Sequence, residues 1–109
     1  MKGRKELDME IIYKGTLYTV PVTSPTAISG ARLYNLATQT HIDAELKASS
    51  SGSGAYNYTM TISPSDTASI PQGIYNLELF SNTSDGVVIA AYYENYAKVK
   101  ESSFTKEYN

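Results

Sequence analysis

The sequence predicts an all-β antiparallel sandwich of about seven strands. Three observations carry this: two-residue hydrophobic alternation in several runs, a side-chain inventory rich in tyrosine, serine and threonine, and turn residues at even spacing between the runs. Ten tyrosines stand beside two phenylalanines and no tryptophan. Aromatic and β-branched groups fit a pleated, half-buried surface, and long amphipathic helices are hard to find.

The elements follow in chain order. DMEIIY and TLYTVPV are two extended pieces around Lys14-Gly15, and Pro21 places the second at a sheet edge because it has no ladder donor. ARLYNLA and QTHIDAELKA are two further short strands, and SSSGSG is a flexible loop without core-forming side chains. AYNYTMTI puts Tyr56, Tyr58, Met60 and Ile62 on one side. In SPSDTASIPQ, Asp66 and Thr67 bond locally and start a short turn, Ile70 plugs the end of the core, and Pro71 with Gly73 turns the chain. GIYNLELFS then buries Tyr75, Leu77 and Leu79. Asp85-Gly86 signals a hairpin into GVVIAAYYENYAKVK, apolar on both faces at its start and so expected to be buried in its first half. Strands 73–81 and 87–98 are expected to pair antiparallel.

The chain has 109 residues, no cysteine and a formal charge of -2. This fits a single domain over 1–109, with a short amino-terminal arm (1–8) and a carboxy-terminal tail (100–109). A chain of this length hides roughly two-thirds of its unfolded surface, enough for one core without metals or crosslinks. Lack of cysteine excludes disulfides, thiolate nucleophiles and cysteine metal centres. A sequence pI near 5.3 argues against broad nucleic-acid binding, which needs a concentrated positive surface. No apolar run approaches a membrane span. In MKGRKELDMEII acidic residues occupy the place of a signal peptide's apolar centre, so secretion by that route is not expected.

Catalytic constellations are sparse, and no enzymatic activity, cofactor or metal is expected. In QTHIDAELKA a strand aligns His41, Asp43 and Glu45 on one face, but same-face neighbours stand nearly 7 Å apart, too far for ready convergence on one small cation. No G-x-S-x-G elbow accompanies the single histidine, and SSSGSGA lacks the lysine and helix of a phosphate cradle. The triplets beginning at Asn57 and Asn82 read as structural in a Ser/Thr-rich chain.

Binding features remain. Tyrosines exceed what a core of this size needs, and tyrosine supplies contact area at little rotamer cost. The candidate interface comprises Tyr92, Tyr93 and Tyr96 in the last strand, Phe104 and Tyr108 in the tail, and Arg4 and Lys5 in the arm. The same aromatic groups would suit sugar rings, which makes a carbohydrate-binding module a rival reading.

The segment from Asp66 to Tyr75 also has the form of a tyrosine corner, in which a ring enters the core and its hydroxyl reaches back to the preceding turn. With Asp66, Thr67, Gly73 and Tyr75 at this corner, Asp85-Gly86 in the following hairpin and an opening segment ending in Ser29-Gly30-Ala31, the chain resembles the immunoglobulin-like domains of tailed-phage virion proteins. These include the amino-terminal domain of upper baseplate proteins and small capsid decoration proteins. The opening segment is similar in outline to that family's opening hairpin. Baseplate proteins carry long additional domains, whereas this chain stops soon after its last strand. The resemblance implies an immunoglobulin-like sandwich and a non-enzymatic structural role in the virion, assembled in the host cytoplasm. The implied form is an auxiliary or decoration protein on the capsid surface. Its partner would be the major capsid protein, with self-association possible and neither nucleic acid nor membrane bound. A tail or baseplate component is the alternative within the same family.

Overall fold

The computed structural model describes residues 9–49 and 56–108. The arm 1–8, with Arg4 and Lys5, lies outside the described residues, as does most of the Ser/Gly loop. Seven strands form one mixed sheet: β1 (Glu10–Tyr13), β2 (Tyr18–Ser24), β3 (Gly30–Asn35), β4 (Thr40–Ala48), β5 (Tyr56–Ile62), β6 (Gly73–Thr83) and β7 (Gly86–Lys100). A short helix α1 (Pro64–Ser69) precedes β6, and a 3₁₀ turn (Ser103–Tyr108) follows β7. No helix among the described residues is long and apolar enough to cross a membrane.

The order across the sheet is β1-β7-β6-β3-β4-β5-β2, with every pairing antiparallel except β1 with β7. Two separate sheets do not form, because β4 belongs to both halves. Its Thr40–Ala44 stretch lies opposite β3, and Glu45–Ala48 lies opposite β5. The ladder therefore curls through β4 and nearly closes into a barrel.

The expected alternation in β6 is present: Tyr75, Leu77 and Leu79 are at most 1% exposed and face Leu33, Met60, Ile62, Ile12 and Val99. Ile70 joins this core as expected. Area removal from water at about 25 cal/mol per Å² makes each such side chain worth about 1.5–3 kcal/mol. Near the open seam, β7 touches β2 through a polar contact. The Tyr18 and Tyr96 hydroxyls lie 2.7 Å apart, and the Tyr18 hydroxyl donates to Glu10 Oε1 at 3.1 Å. Burial, the Tyr96 hydroxyl and Glu10 together push the Tyr18 phenol far above its ordinary range.

The corner before β6 is built as read, with one reassignment. Tyr75 Oη donates to the Pro71 carbonyl at 2.7 Å, the hydrogen bond of a tyrosine corner. Gly73 takes φ +141° at the strand entrance. Ser63, rather than Asp66, caps α1, its hydroxyl accepting from the Asp66 N–H. Thr67 bonds at long range as well as locally. Fully buried, it accepts from the Gly15 N–H at 3.0 Å and donates to the Thr16 carbonyl at 2.8 Å.

That contact accounts for a departure from expectation: β1 and β2 form no opening hairpin and lie at opposite ends of the strand order. Gly15 adopts φ +84°, and a Cβ there would collide with the Phe104 carbonyl. Ser102 Oγ donates to the Lys14 carbonyl at 2.6 Å. The β1–β2 corner is thus held between α1 and the 3₁₀ turn, which carries the chain away from a hairpin. The tail beyond Lys100 is consequently part of the body, with Thr105 buried.

β7 also differs from expectation. Its first half is exposed and its last turns inward at Ala97 and Val99. The β3 ladder ends at Phe80, so Ser81–Thr83 and Gly86–Val88 form a two-stranded ribbon with no third strand beside it among the described residues. The turn itself falls on Ser84-Asp85, and Gly86 opens β7 with φ +131°.

Two stability predictions follow from the corners. Tyr75→Phe removes the hydroxyl and leaves the ring, and should lower the free energy of unfolding in urea by about 1–2 kcal/mol. Gly15→Ala, which meets both left-handed backbone and the Phe104 carbonyl, should cost more than about 1 kcal/mol in the same measurement.

Candidate interaction surface

β4 presents side chains alternately, as its sequence requires. His41, Asp43 and Glu45 are exposed, and Ile42, Ala44 and Leu46 are partly buried against the core. Asp43 is engaged by the neighbouring strand: Arg32 Nε donates to Asp43 Oδ1 at 2.7 Å and Arg32 Nη2 to Oδ2 at 3.3 Å. The guanidinium holds the Asp43 carboxyl below the usual carboxylate range. Among the described residues no three His, Asp or Glu side chains are grouped to hold a metal ion.

Of the β7 tyrosines, Tyr92 is set apart from Tyr93 and Tyr96. Tyr92 lies opposite Glu78 and Tyr93 opposite buried Leu77, so they occupy opposite faces of the strand. Asn95 then takes φ +54°, at a bulge held by Asn76, whose Oδ1 accepts from the Asn95 N–H and whose Nδ2 donates to the Tyr92 hydroxyl. Past the bulge, Tyr96 turns to the Tyr18 seam. Phe104 is 54% exposed on the 3₁₀ turn, away from this group. The backbone of Tyr108 ends that turn, and its side chain lies outside the described set. The sequence-local aromatic cluster is therefore not one surface, and of the corner residues only Tyr75 and Thr67 have side chains committed to the core.

A different patch is brought together. Val87, Val88 and Ile89 are 64%, 54% and 48% exposed, the largest apolar exposure on consecutive residues of any described strand. Val87 and Ile89 share the outer face, opposite Asn82 and Phe80, while Val88 points to the other face; Phe80 in turn lies opposite Gly30, where any Cβ would strike its ring. The Arg32 guanidinium sits 5.8 Å from the centre of that ring. Together Arg32, Asp43, Glu78, Phe80, Val87 and Ile89 border a shallow depression of about 220 Å³. Its apolar side comes from the hairpin and its charged side from β3, β4 and β6. This combination suits protein docking, since an apolar centre with charged edges is how specific interfaces are built.

Sequence reasoning missed this patch because it placed Val87–Ile89 inside. A signal was available in the partner strand: the tip of β6 reads Ser81-Asn82-Thr83, a polar companion that no buried ribbon would need.

A second, larger recess of about 480 Å³ runs between the β3–β4 turn and the β6 entrance, bordered by Leu36, Ile74 and several amides. Asn35 Oδ1 accepts from the N–H groups of Ala37 and Thr38. With Asn76 fixed on Asn95 and Tyr92, the Asn35 and Asn76 amides hold a turn and a bulge.

Comparison of the chain with protein-family models, with curated proteins and with solved structures finds no match.

The Arg32–Asp43 pair gives a pH prediction. By NMR Asp43 should titrate below the ordinary range of an aspartate because of the Arg32 guanidinium, and Arg32→Ala should raise it towards that range. Because the folded-state value is the lower one, the pair's contribution is present above the unfolded value and is lost as pH falls through the folded one. With side chains 37% and 54% exposed, the contribution is about 0–1 kcal/mol.

Proposed function

We propose that this chain is a non-enzymatic structural protein of a phage virion, an immunoglobulin-like module bound to the capsid surface as an auxiliary or decoration protein. The strand order supports the finer fold. Divided at β4, it falls into β1-β7-β6-β3 and β4-β5-β2, the grouping of an immunoglobulin-like sandwich whose fourth strand is shared between sheets. The Tyr75–Pro71 hydrogen bond supports the same reading. The docking role rests on one observation, the apolar patch of Val87 and Ile89 beside Phe80 and the Arg32–Asp43 pair. Exposed side chains of this kind contribute little to folding, and they fit a partner protein that supplies the missing cover. A tail or baseplate location would use the same patch.

The test is co-sedimentation of the purified chain with phage capsids and, separately, with tails. The expected outcome is retention by capsids at fixed stoichiometry, reduced at least roughly tenfold by Val87→Glu with Ile89→Glu while far-UV circular dichroism is unchanged. Retention by tails alone moves the protein to the tail. Retention by immobilised glycans and by neither particle overturns the proposal in favour of sugar binding.

A further inference from the structure

β7 has a neighbour along only part of its outer edge. β1 pairs with Ala97–Lys100, and among the described residues no strand lies beside Gly86–Tyr96. Such an edge presents unpaired main-chain donors and acceptors, which natural sheets guard with proline, charged side chains or bulges; here β7 bulges at Ala90 and at Asn95, whose N–H is held by Asn76. The edge of β2 is guarded by Pro21. The β7 segment GVVIAAYYENY has no proline and no basic residue, and Glu94 is its single charge.

We infer that a second copy of this chain occupies this edge, antiparallel across a two-fold axis between Ala90 and Ala91. The bulge in β7 selects the register. Phe80 lies opposite Ile89 and Leu79 opposite Ala91, so Ala90 is an extra residue. In a regular strand Ile89 and Tyr92 would point to opposite faces, but the extra residue puts both on the outer face and puts Val88 and Tyr93 both on the inner face. An axis between the two alanines then sets Ile89 against Tyr92 of the second copy on one face and Val88 against Tyr93 on the other. Each is a β-branched side chain beside an aromatic ring, a favoured cross-strand pair. The small residues Ala90 and Ala91 meet at the axis. Charge is compatible as well: Glu94 falls opposite Val87 and Asp85 opposite Tyr96, so no carboxylate faces another. This pairing is isologous, as a closed dimer requires. It is formed through the strand edge and shares Ile89 with the outer patch, but it needs no capsid, and self-association of the isolated chain tests it apart from the virion proposal.

Sedimentation equilibrium of the full chain tests it. Expected is a monomer–dimer equilibrium, weakened roughly tenfold or more by Ile89→Lys, which places a charge against Tyr92 of the second copy. The register is read by a Val88→Cys, Tyr93→Cys double variant. The native chain has no cysteine, so mild oxidation should yield a crosslinked dimer containing only 88–93 bonds. A chain that stays monomeric up to about 1 mM overturns the inference and leaves the edge to an extended segment of another protein. A dimer indifferent to Ile89→Lys, or one that does not crosslink 88 to 93, overturns it equally.

Discussion

Burial of one face of β6 organises the molecule. Tyr75, Leu77 and Leu79 are each removed from water, and β6 lies between β3 and β7, so strands on both sides are positioned by what covers those three side chains. β7 meets the same face with Ala91, Ala97 and Val99, and β5 covers it from across the interior with Met60 and Ile62. Because the barrel is nearly closed, this apolar centre has few routes to solvent. Polar groups at its margins must find partners within the protein.

The margins are sealed by hydroxyl groups. At one end Tyr75 reaches Pro71 and Thr67 reaches Gly15 and Thr16, joining α1 to two distant segments. At the seam Tyr18 and Tyr96 share a hydrogen bond. Among the described residues no buried side-chain nitrogen or oxygen lacks a partner. Several of the ten tyrosines and many of the Ser and Thr residues are thereby assigned to closing the fold. The composition that suggested a binding surface has in large part a structural use.

How much of this was legible depends on the range over which each residue acts. Alternation at Tyr75, Leu77 and Leu79, the hairpin signal at Asp85-Gly86 and the edge placement of Pro21 are local, and each matches the structure. The parting of β1 from β2 was not legible, because it depends on Thr67 and Phe104 meeting Gly15 across more than fifty residues of chain. The exposure of Val87–Ile89 also has its cause in a third strand, whose ladder ends at Phe80, and its one local trace is the polar Ser81–Thr83 tip of β6. Tyr92, Tyr93 and Tyr96 were grouped by nearness in sequence, and strand alternation alone parts Tyr92 from Tyr93, while the bulge at Asn95 turns Tyr96 to the seam. The split pairing of β4 had no local signal, since both of its halves alternate alike.

The parallel pairing of β1 with the end of β7 has a mechanical consequence. A load drawing Glu10 and Lys100 apart runs along both strands in opposite senses, so the whole β1–β7 ladder is sheared at once instead of being peeled bond by bond. Lys14 adds its own bond to the Lys100 carbonyl at the end of that ladder. Rupture would need several hydrogen bonds to fail together, a geometry that resists tension through a high unfolding barrier rather than through large equilibrium stability.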